Sequence, residues 1–179
     1  LIELLVSVSI ITVILSVVMY NYGGFNDKLA LSSAAQELAL SLREVQTYGI
    51  NVKESVVGGG QFNNAYGLFI NASAPASAYR TFIDYNNNNY YDVGGGCYVA
   101  GSECLVRTDL RNGVRITGVC DATVCPPAGP PTGGTKLSIF FRRPNPDALI
   151  YFLDNTFPAV TILGPVSTAR IQLTSPKGN

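Results

Sequence analysis

The first nineteen residues form an apolar run that contains a single charge, Glu3, and the first basic residue is Lys28. A run of roughly this length and composition can span the hydrocarbon of a bilayer as a helix. A carboxylate near the start of such a helix is costly unless a partner neutralises it, which makes Glu3 a candidate functional residue. The alternative is an ordinary single-span anchor with Glu3 at the water interface.

The pattern becomes amphipathic from Asp27 to Gly49, where Gly49 is predicted to stop the helix. Spacings of three and four place these apolar residues on one helical face: Leu31, Ala35, Leu38, Leu42, Val45 and Gly49. Gly23 and Gly24 lie between the two patterns. Each costs about 1 kcal/mol relative to Ala in a helix, so this pair is a candidate helix break, the alternative being a helix that tolerates both.

Beyond the glycines at 58–60, short aromatic and β-branched runs are bounded by Gly, Asn, Asp or Pro, as strands are. The predicted strands cover residues 66–70, 79–84, 104–110, 114–119, 137–142, 149–153 and 169–174. Strands that follow one long helix, with no helix between them, predict an α+β fold with an antiparallel sheet. The predicted organisation is a membrane-spanning helix (1–26), an amphipathic helix (27–50) and a β-rich head domain (51–179).

Composition narrows the chemistry of this chain. It carries twelve basic and twelve acidic residues among 179, so bulk charge does not favour a polyanionic partner. The absence of His excludes His general bases, Ser-His-Asp triads and zinc sites with His ligands. We therefore expect neither an enzyme nor a cofactor.

The four cysteines form two close pairs, Cys97 with Cys104 and Cys120 with Cys125. Neither pair has the C-x-x-C spacing of zinc ribbons or thioredoxins. Both lie among Gly, Pro and polar residues, which favours two local disulfides in an oxidising compartment over four buried thiols. Each short loop would contribute roughly 2–3 kcal/mol at most.

Residues 84–92 place oxygen side chains at alternate positions, as a calcium loop does. However, Asn89 stands where the turn glycine is expected, and Gly95 stands where the bidentate Glu is expected. We therefore favour an asparagine-rich hairpin without a metal. A single glycosylation sequon begins at Asn71, with Ser73 as its third residue, so Asn71 is a candidate glycan acceptor.

The opening Leu-Ile-Glu-Leu-Leu-Val resembles the start of mature type IV pilins and type II secretion pseudopilins. In those families a Phe and one more residue precede the Leu-Ile-Glu, and the amino terminus is methylated. The resemblance implies a pilin fold and a single-pass membrane protein that polymerises through its amino-terminal helix into an extracellular or periplasmic filament. It also implies that Glu3 pairs with the terminal amine of a neighbouring subunit, and that part of the helix unwinds in the filament.

Four later stretches are similar to the minor pseudopilin H and FimT-type branch of that family. They are residues 66–68 (Tyr-Gly-Leu), 82–86 (Phe-Ile-Asp-Tyr-Asn), 112–114 (Asn-Gly-Val) and 175–178 (Ser-Pro-Lys-Gly). A structural subunit of a type IV pilus-like filament is the first hypothesis. The alternative is a minor pilin or pseudopilin at the tip of a secretion or DNA-uptake filament.

The resemblance also implies partners. These are copies of the chain, other pilins and the inner-membrane assembly machinery. Some FimT-type proteins bind DNA, but the late basic residues are dispersed and are expected to form a solvated face: Lys136, Arg142, Arg143, Arg170 and Lys177.

Overall fold

A computed structural model describes residues 2–51, 64–73, 75–92, 96–97, 99, 101–120, 136–154 and 161–177. Within these residues there is one α-helix, α1 (Ile2–Ile50), and eight strands follow it. The strands are β1 (Ala65–Asn71), β2 (Ala78–Asp84), β3 (Cys104–Asp109), β4 (Arg115–Cys120), β5 (Lys136–Arg142), β6 (Asn145–Asp154), β7 (Thr161–Val166) and β8 (Arg170–Thr174). The predicted α+β class is confirmed, and one long helix on an antiparallel sheet is consistent with a pilin-like fold.

Six strands form one sheet in the order β3-β2-β1-β5-β6-β7, and β4 and β8 form a second sheet of two. Every strand pair is antiparallel. All seven predicted strands are present, with ends that differ by a few residues. The sequence prediction missed β7.

The larger sheet is buried on both faces. On one face it packs against α1 and the β4–β8 sheet, in a core that includes Leu68, Tyr79 and Ile139. On the other face Phe82, Phe140 and other apolar residues form a second core. Because both faces are covered, β5 is buried at five consecutive positions, residues 137–141, rather than at alternate ones.

The second half of α1 packs on the head domain, but its buried face differs from the predicted one. Leu38, Val45 and Gly49 are buried as expected, with Leu31 and Leu42 partly buried, whereas Ala35 is exposed. Ala30 and Ala34 are buried instead. The covered face is therefore shifted by one residue at the start of this half, to residues 30 and 34 instead of 31 and 35, and agrees with the prediction from Leu38 onwards. The helix ends at Ile50, one residue beyond Gly49, so the predicted end of the helix is confirmed to within one residue.

Candidate assembly surface and asparagine-rich loop

Residues 2–25 of α1, called here the apolar segment, present apolar side chains on all sides. Its large apolar side chains are between 50% (Val8) and 88% (Tyr20) exposed. By length and composition the helix can cross a membrane, and none of its most apolar stretch is buried against the head domain. A helix that is apolar all round needs apolar surroundings, either lipid or other protein.

Four hydroxyl groups of the apolar segment are satisfied within the helix itself. Ser7 donates to the carbonyl of Glu3 (2.9 Å) and Ser16 to that of Thr12 (2.8 Å). Ser9 and Thr12 donate likewise to carbonyls three residues earlier, each at 2.8 Å. These four side chains therefore need no water, so the part of the segment that carries them, residues 7–16, suits a dry environment. Sequence reasoning did not use them.

Glu3 lies in the first turn of α1 and is exposed. A carboxylate there is favourably placed against the positive end of the helix dipole. Among the described residues, no cation forms an ion pair with Glu3. The only negative charge of the apolar segment is thus accessible at one end of an otherwise uncharged surface.

The helix is continuous across Gly23 and Gly24. A Cβ added at Gly24 would meet no atom within 4 Å, so the head domain does not require this glycine. The isolated chain has no break here. The break predicted for the assembled filament stays a prediction.

Three contacts fix the second half of α1 to the head domain. The hydroxyls of Ser41 and Tyr79 lie 2.7 Å apart, and the Tyr79 side chain is fully buried. Near the start of this half, the Lys177 ammonium lies 3.7 Å from the Asp27 carboxylate. Towards the end, Gly49 lies directly on β5. The apolar segment therefore projects from a helix that the head domain holds firmly.

The asparagine-rich loop, residues 85–92, is closed by hydrogen bonds to buried carboxylates. Asp84 is fully buried, and its two oxygens accept the backbone N–H groups of Asn88 and Asn89, each at 3.1 Å. Asn87 and Asn89 adopt left-handed backbone conformations with φ of 57° and 69°, which Asn tolerates better than most residues.

The basic side chain at this loop is Arg142, on β5. Its guanidinium contacts Asp84 (3.4 Å), Asn87 (3.0 Å) and Asn89 (3.3 Å). Burial raises the pKa of Asp84, while the hydrogen bonds from the loop backbone and the charge of Arg142 oppose that rise. Arg142 thus belongs to the scaffold of the loop.

Glu103 is the residue of this site that sequence reasoning missed. Its side chain is only 5% exposed, and it accepts the N–H groups of Tyr85 (3.3 Å) and Asp92 (2.7 Å), at the two ends of the loop. Burial, together with repulsion from Asp92 and Asp84, raises its pKa to about 7. In the part of the chain that the structure describes, no group of three or more Cys, Asp or Glu side chains is arranged to hold a metal ion.

The predicted disulfide Cys97–Cys104 is present and joins residues seven apart in sequence next to this loop. Cys120 is also disulfide-bonded. Cys125 lies outside the described residues, so the Cys120–Cys125 pairing stays a prediction.

The five late basic residues do not form one cluster. Lys136 and Arg142 lie at opposite ends of β5, roughly 20 Å apart at the usual rise per residue. Arg142 is engaged by the asparagine-rich loop and Lys177 by Asp27. Arg143, half-buried, has an interaction of its own, and Arg170 is exposed on β8. This arrangement offers no convergent phosphate site at these five residues.

Comparison with protein-family models, curated proteins and solved structures finds no match to this chain.

Proposed function

We propose that this protein is a structural subunit that polymerises through the apolar segment into a type IV pilus-like filament. The observation that carries the proposal is the division of α1, whose second half is buried on the head domain while residues 2–25 are apolar and exposed. Before assembly the segment is held in a membrane. After assembly the same surface packs against its copies in other subunits, and the head domains face outward.

Burial of the apolar segment supplies the driving force for assembly. In a membrane, lipid already covers this surface, so the gain from packing comes from close contact between helices rather than from leaving water. In a filament outside the membrane the alternative is water, and burial is worth roughly 25 cal/mol per Å² of apolar surface. A subunit that has left the membrane and joined the filament therefore stays in it.

Glu3 is the residue that sets the register between neighbouring subunits in this proposal. An exposed carboxylate at the end of an apolar surface becomes costly when that surface is buried, unless a cation meets it. The pairing implied by the pilin resemblance, with the terminal amine of a neighbour, meets that requirement. A misregistered neighbour would leave the charge unpaired.

Substitution of Glu3 tests the proposal. Glu3→Ala is expected to reduce filament yield at least tenfold, measured as subunit recovered in sheared filaments, while the variant still fractionates with membranes. The matched control is Glu37→Ala, which removes an acidic residue from the head-bound half of the same helix and is expected to leave yield unchanged. Wild-type yield from Glu3→Ala would overturn the role of Glu3.

Stoichiometry separates a principal subunit from a minor pilin or pseudopilin. The short motifs shared with the pseudopilin H and FimT-type branch favour the minor role. A principal subunit is expected to account for most of the protein mass of purified filaments. A subunit present at a few copies per filament would instead establish the tip or initiation role.

A further inference from the structure

A pocket of about 320 Å³ lies beside β2 and β3. It is formed by the end of β1, by residues 73 and 75–77, and by β2 and β3. Its polar lining includes Asn71, Ser73, Ser77, Arg80 and Arg107. Its volume lies at the lower end of the range, about 300–1,000 Å³, that small-molecule sites occupy. Neither the sequence interpretation nor the proposed function uses this pocket.

Arg80 and Arg107 are direct partners in the antiparallel register of β2 and β3. Side chains of directly opposed residues share one face of the sheet, and like charges in such positions destabilise the pair. Arg107 is compensated, since its Nε and one terminal nitrogen contact the Asp109 carboxylate at 3.1 and 2.9 Å. The Asp109 carboxylate therefore pairs with only one of the two guanidinium groups, that of Arg107.

The half-buried Arg80 has no carboxylate partner and no hydrogen-bond acceptor for its guanidinium among the described residues. Its charge acts on Tyr91, whose pKa is raised by burial against the opposing effect of Arg80. The fork of N–H donors on a guanidinium matches the oxygens of a carboxylate or phosphate. An anion between the two arginines would relieve their repulsion.

The rest of the pocket suits a small organic ligand. Pro75, Ala76 and Ala78 provide a wall without long side chains, and Ser77 contributes a hydroxyl. Asn71 is turned towards its own loop, where its side-chain oxygen accepts the backbone N–H (3.1 Å) and the hydroxyl (2.7 Å) of Ser73. This fixes the connection that forms the pocket's edge.

We propose that this pocket binds a small organic oxyanion, a carboxylate or a phosphate monoester carried on a sugar-sized body. Arg80 makes the principal contact and Arg107 the second. The wall formed by residues 75–78 holds the uncharged part of the ligand. The proposal is independent of filament assembly, because it concerns the head domain alone.

Ligand binding to the full chain, solubilised in an uncharged detergent, tests this proposal. Glucuronate and glucose 6-phosphate are the two oxyanion probes, and glucose is the matched uncharged control. Calorimetric titration at constant ionic strength is expected to show binding of at least one oxyanion and none of glucose. Which of the two binds identifies carboxylate or phosphate as the group recognised.

Variants locate the site. Arg80→Gln is expected to weaken binding at least tenfold, and Arg80→Lys, which keeps the charge but loses the fork, to weaken it by an intermediate factor. Arg43→Gln, on the exposed face of α1, removes the same charge elsewhere and is expected to change nothing. Near-ultraviolet circular dichroism shows that each variant is folded.

Several results would overturn the proposal. These are equal binding by the wild type and a folded Arg80→Lys or Arg80→Gln variant, equal binding of glucose and the oxyanions, or a loss in Arg43→Gln as large as in Arg80→Gln. Binding of a twelve-nucleotide single-stranded DNA with no binding of either small oxyanion would also overturn it, in favour of a nucleic-acid surface.

Discussion

Gly49 of α1 lies so close to Phe141 of β5 that a Cβ added to the glycine would stand 2.7 Å from both the Cβ and the carbonyl oxygen of Phe141. The nearest atoms include backbone, which cannot rotate away as a side chain can. The absence of a side chain at residue 49 therefore determines how closely the end of the helix approaches the sheet.

Gly49→Ala is expected to destabilise the head domain. Overpacking costs about 1–3 kcal/mol, whereas Ala gains about 1 kcal/mol over Gly in a helix. Because the clash includes backbone atoms, we expect the upper end of that cost and a net loss of about 2 kcal/mol, measured by urea unfolding of the detergent-solubilised chain. Unchanged or increased stability would show that α1 and β5 can separate slightly without cost.

Gly24→Ala provides the opposite case on the same helix. Nothing lies within 4 Å of the added Cβ, so only helix propensity changes. At each temperature of a heating experiment, the variant is expected to have at least as much helix as the wild type, measured by far-ultraviolet circular dichroism. The unfolding of the head domain is expected to be unchanged. If Gly24 is part of a break in the filament, this variant is expected to give filaments that stretch less under load.

The Ser41–Tyr79 hydrogen bond is expected to contribute measurably to docking of α1 on β2. Ser41→Ala and Tyr79→Phe each remove one hydroxyl, and each is expected to cost about 1 kcal/mol. Because both changes break the same bond, the double variant is expected to cost less than the sum of the two. Additive losses would show that the two hydroxyls act independently.

Glu103 is expected to make stability fall as pH rises. Its pKa in the folded chain is about 7, above its ordinary value of 4.5, so the folded state holds a proton more tightly than the unfolded state. Its contribution is fully present below pH 4.5 and is lost as pH rises to about 7. The total change is on the order of 3 kcal/mol by linkage.

Unfolding free energies measured between pH 4.5 and 8 check this expectation. Glu103→Gln is expected to flatten the decline, and Glu37→Gln to leave it intact. The raised pKa of Asp84 gives a decline of the same sign, starting above 3.8, so a small slope is expected to remain in Glu103→Gln. A variant that retains the full wild-type slope would assign the titration to another group.

Reduction of the disulfides is expected to loosen loops without dissolving the filament. The Cys97–Cys104 link closes a short loop, so its loss is expected to cost roughly 2–3 kcal/mol at most. Cohesion in the proposed filament comes instead from the apolar segment. Filaments that fall apart in mild reductant alone would contradict this, as would non-reduced peptides that pair Cys97 with Cys125.

Local pattern predicted most strands because aromatic and β-branched runs end at turn residues, and it missed β7 for a physical reason. That strand contains Gly164 and Pro165. Gly weakens a strand and Pro cannot donate a ladder hydrogen bond, so such a sequence forms either an edge strand or no strand. It lies at the edge of the sheet, beside β6 only. Whether residues 161–166 form an edge strand or no strand depends on the order of strands in the sheet, which the sequence pattern does not show.

Of the candidate site residues, the sequence pattern reveals Glu3 but not Glu103. Glu3 is recognisable because a lone charge interrupts an apolar run. Glu103 follows Asp92 by eleven residues in the sequence, and it reaches the asparagine-rich loop because Phe82 pairs with Cys104 across β2 and β3. The calcium-loop pattern expects a Glu at residue 95, where the chain has Gly95, because that pattern counts positions along the chain. The acidic residue that contacts the loop is instead Glu103, which strand pairing brings from further along the sequence.

The division of α1 also has a mechanical consequence. Buried positions begin at Ala30, so the 25 residues from Ile2 to Asn26 extend beyond the head domain by roughly 37 Å. A sideways force at the free end acts through that whole lever arm on the few contacts around Asp27 and Ala30. A pull along the helix axis has no such leverage. A single subunit is therefore weak in bending and strong in tension until lipid or neighbouring helices brace the rod along its length.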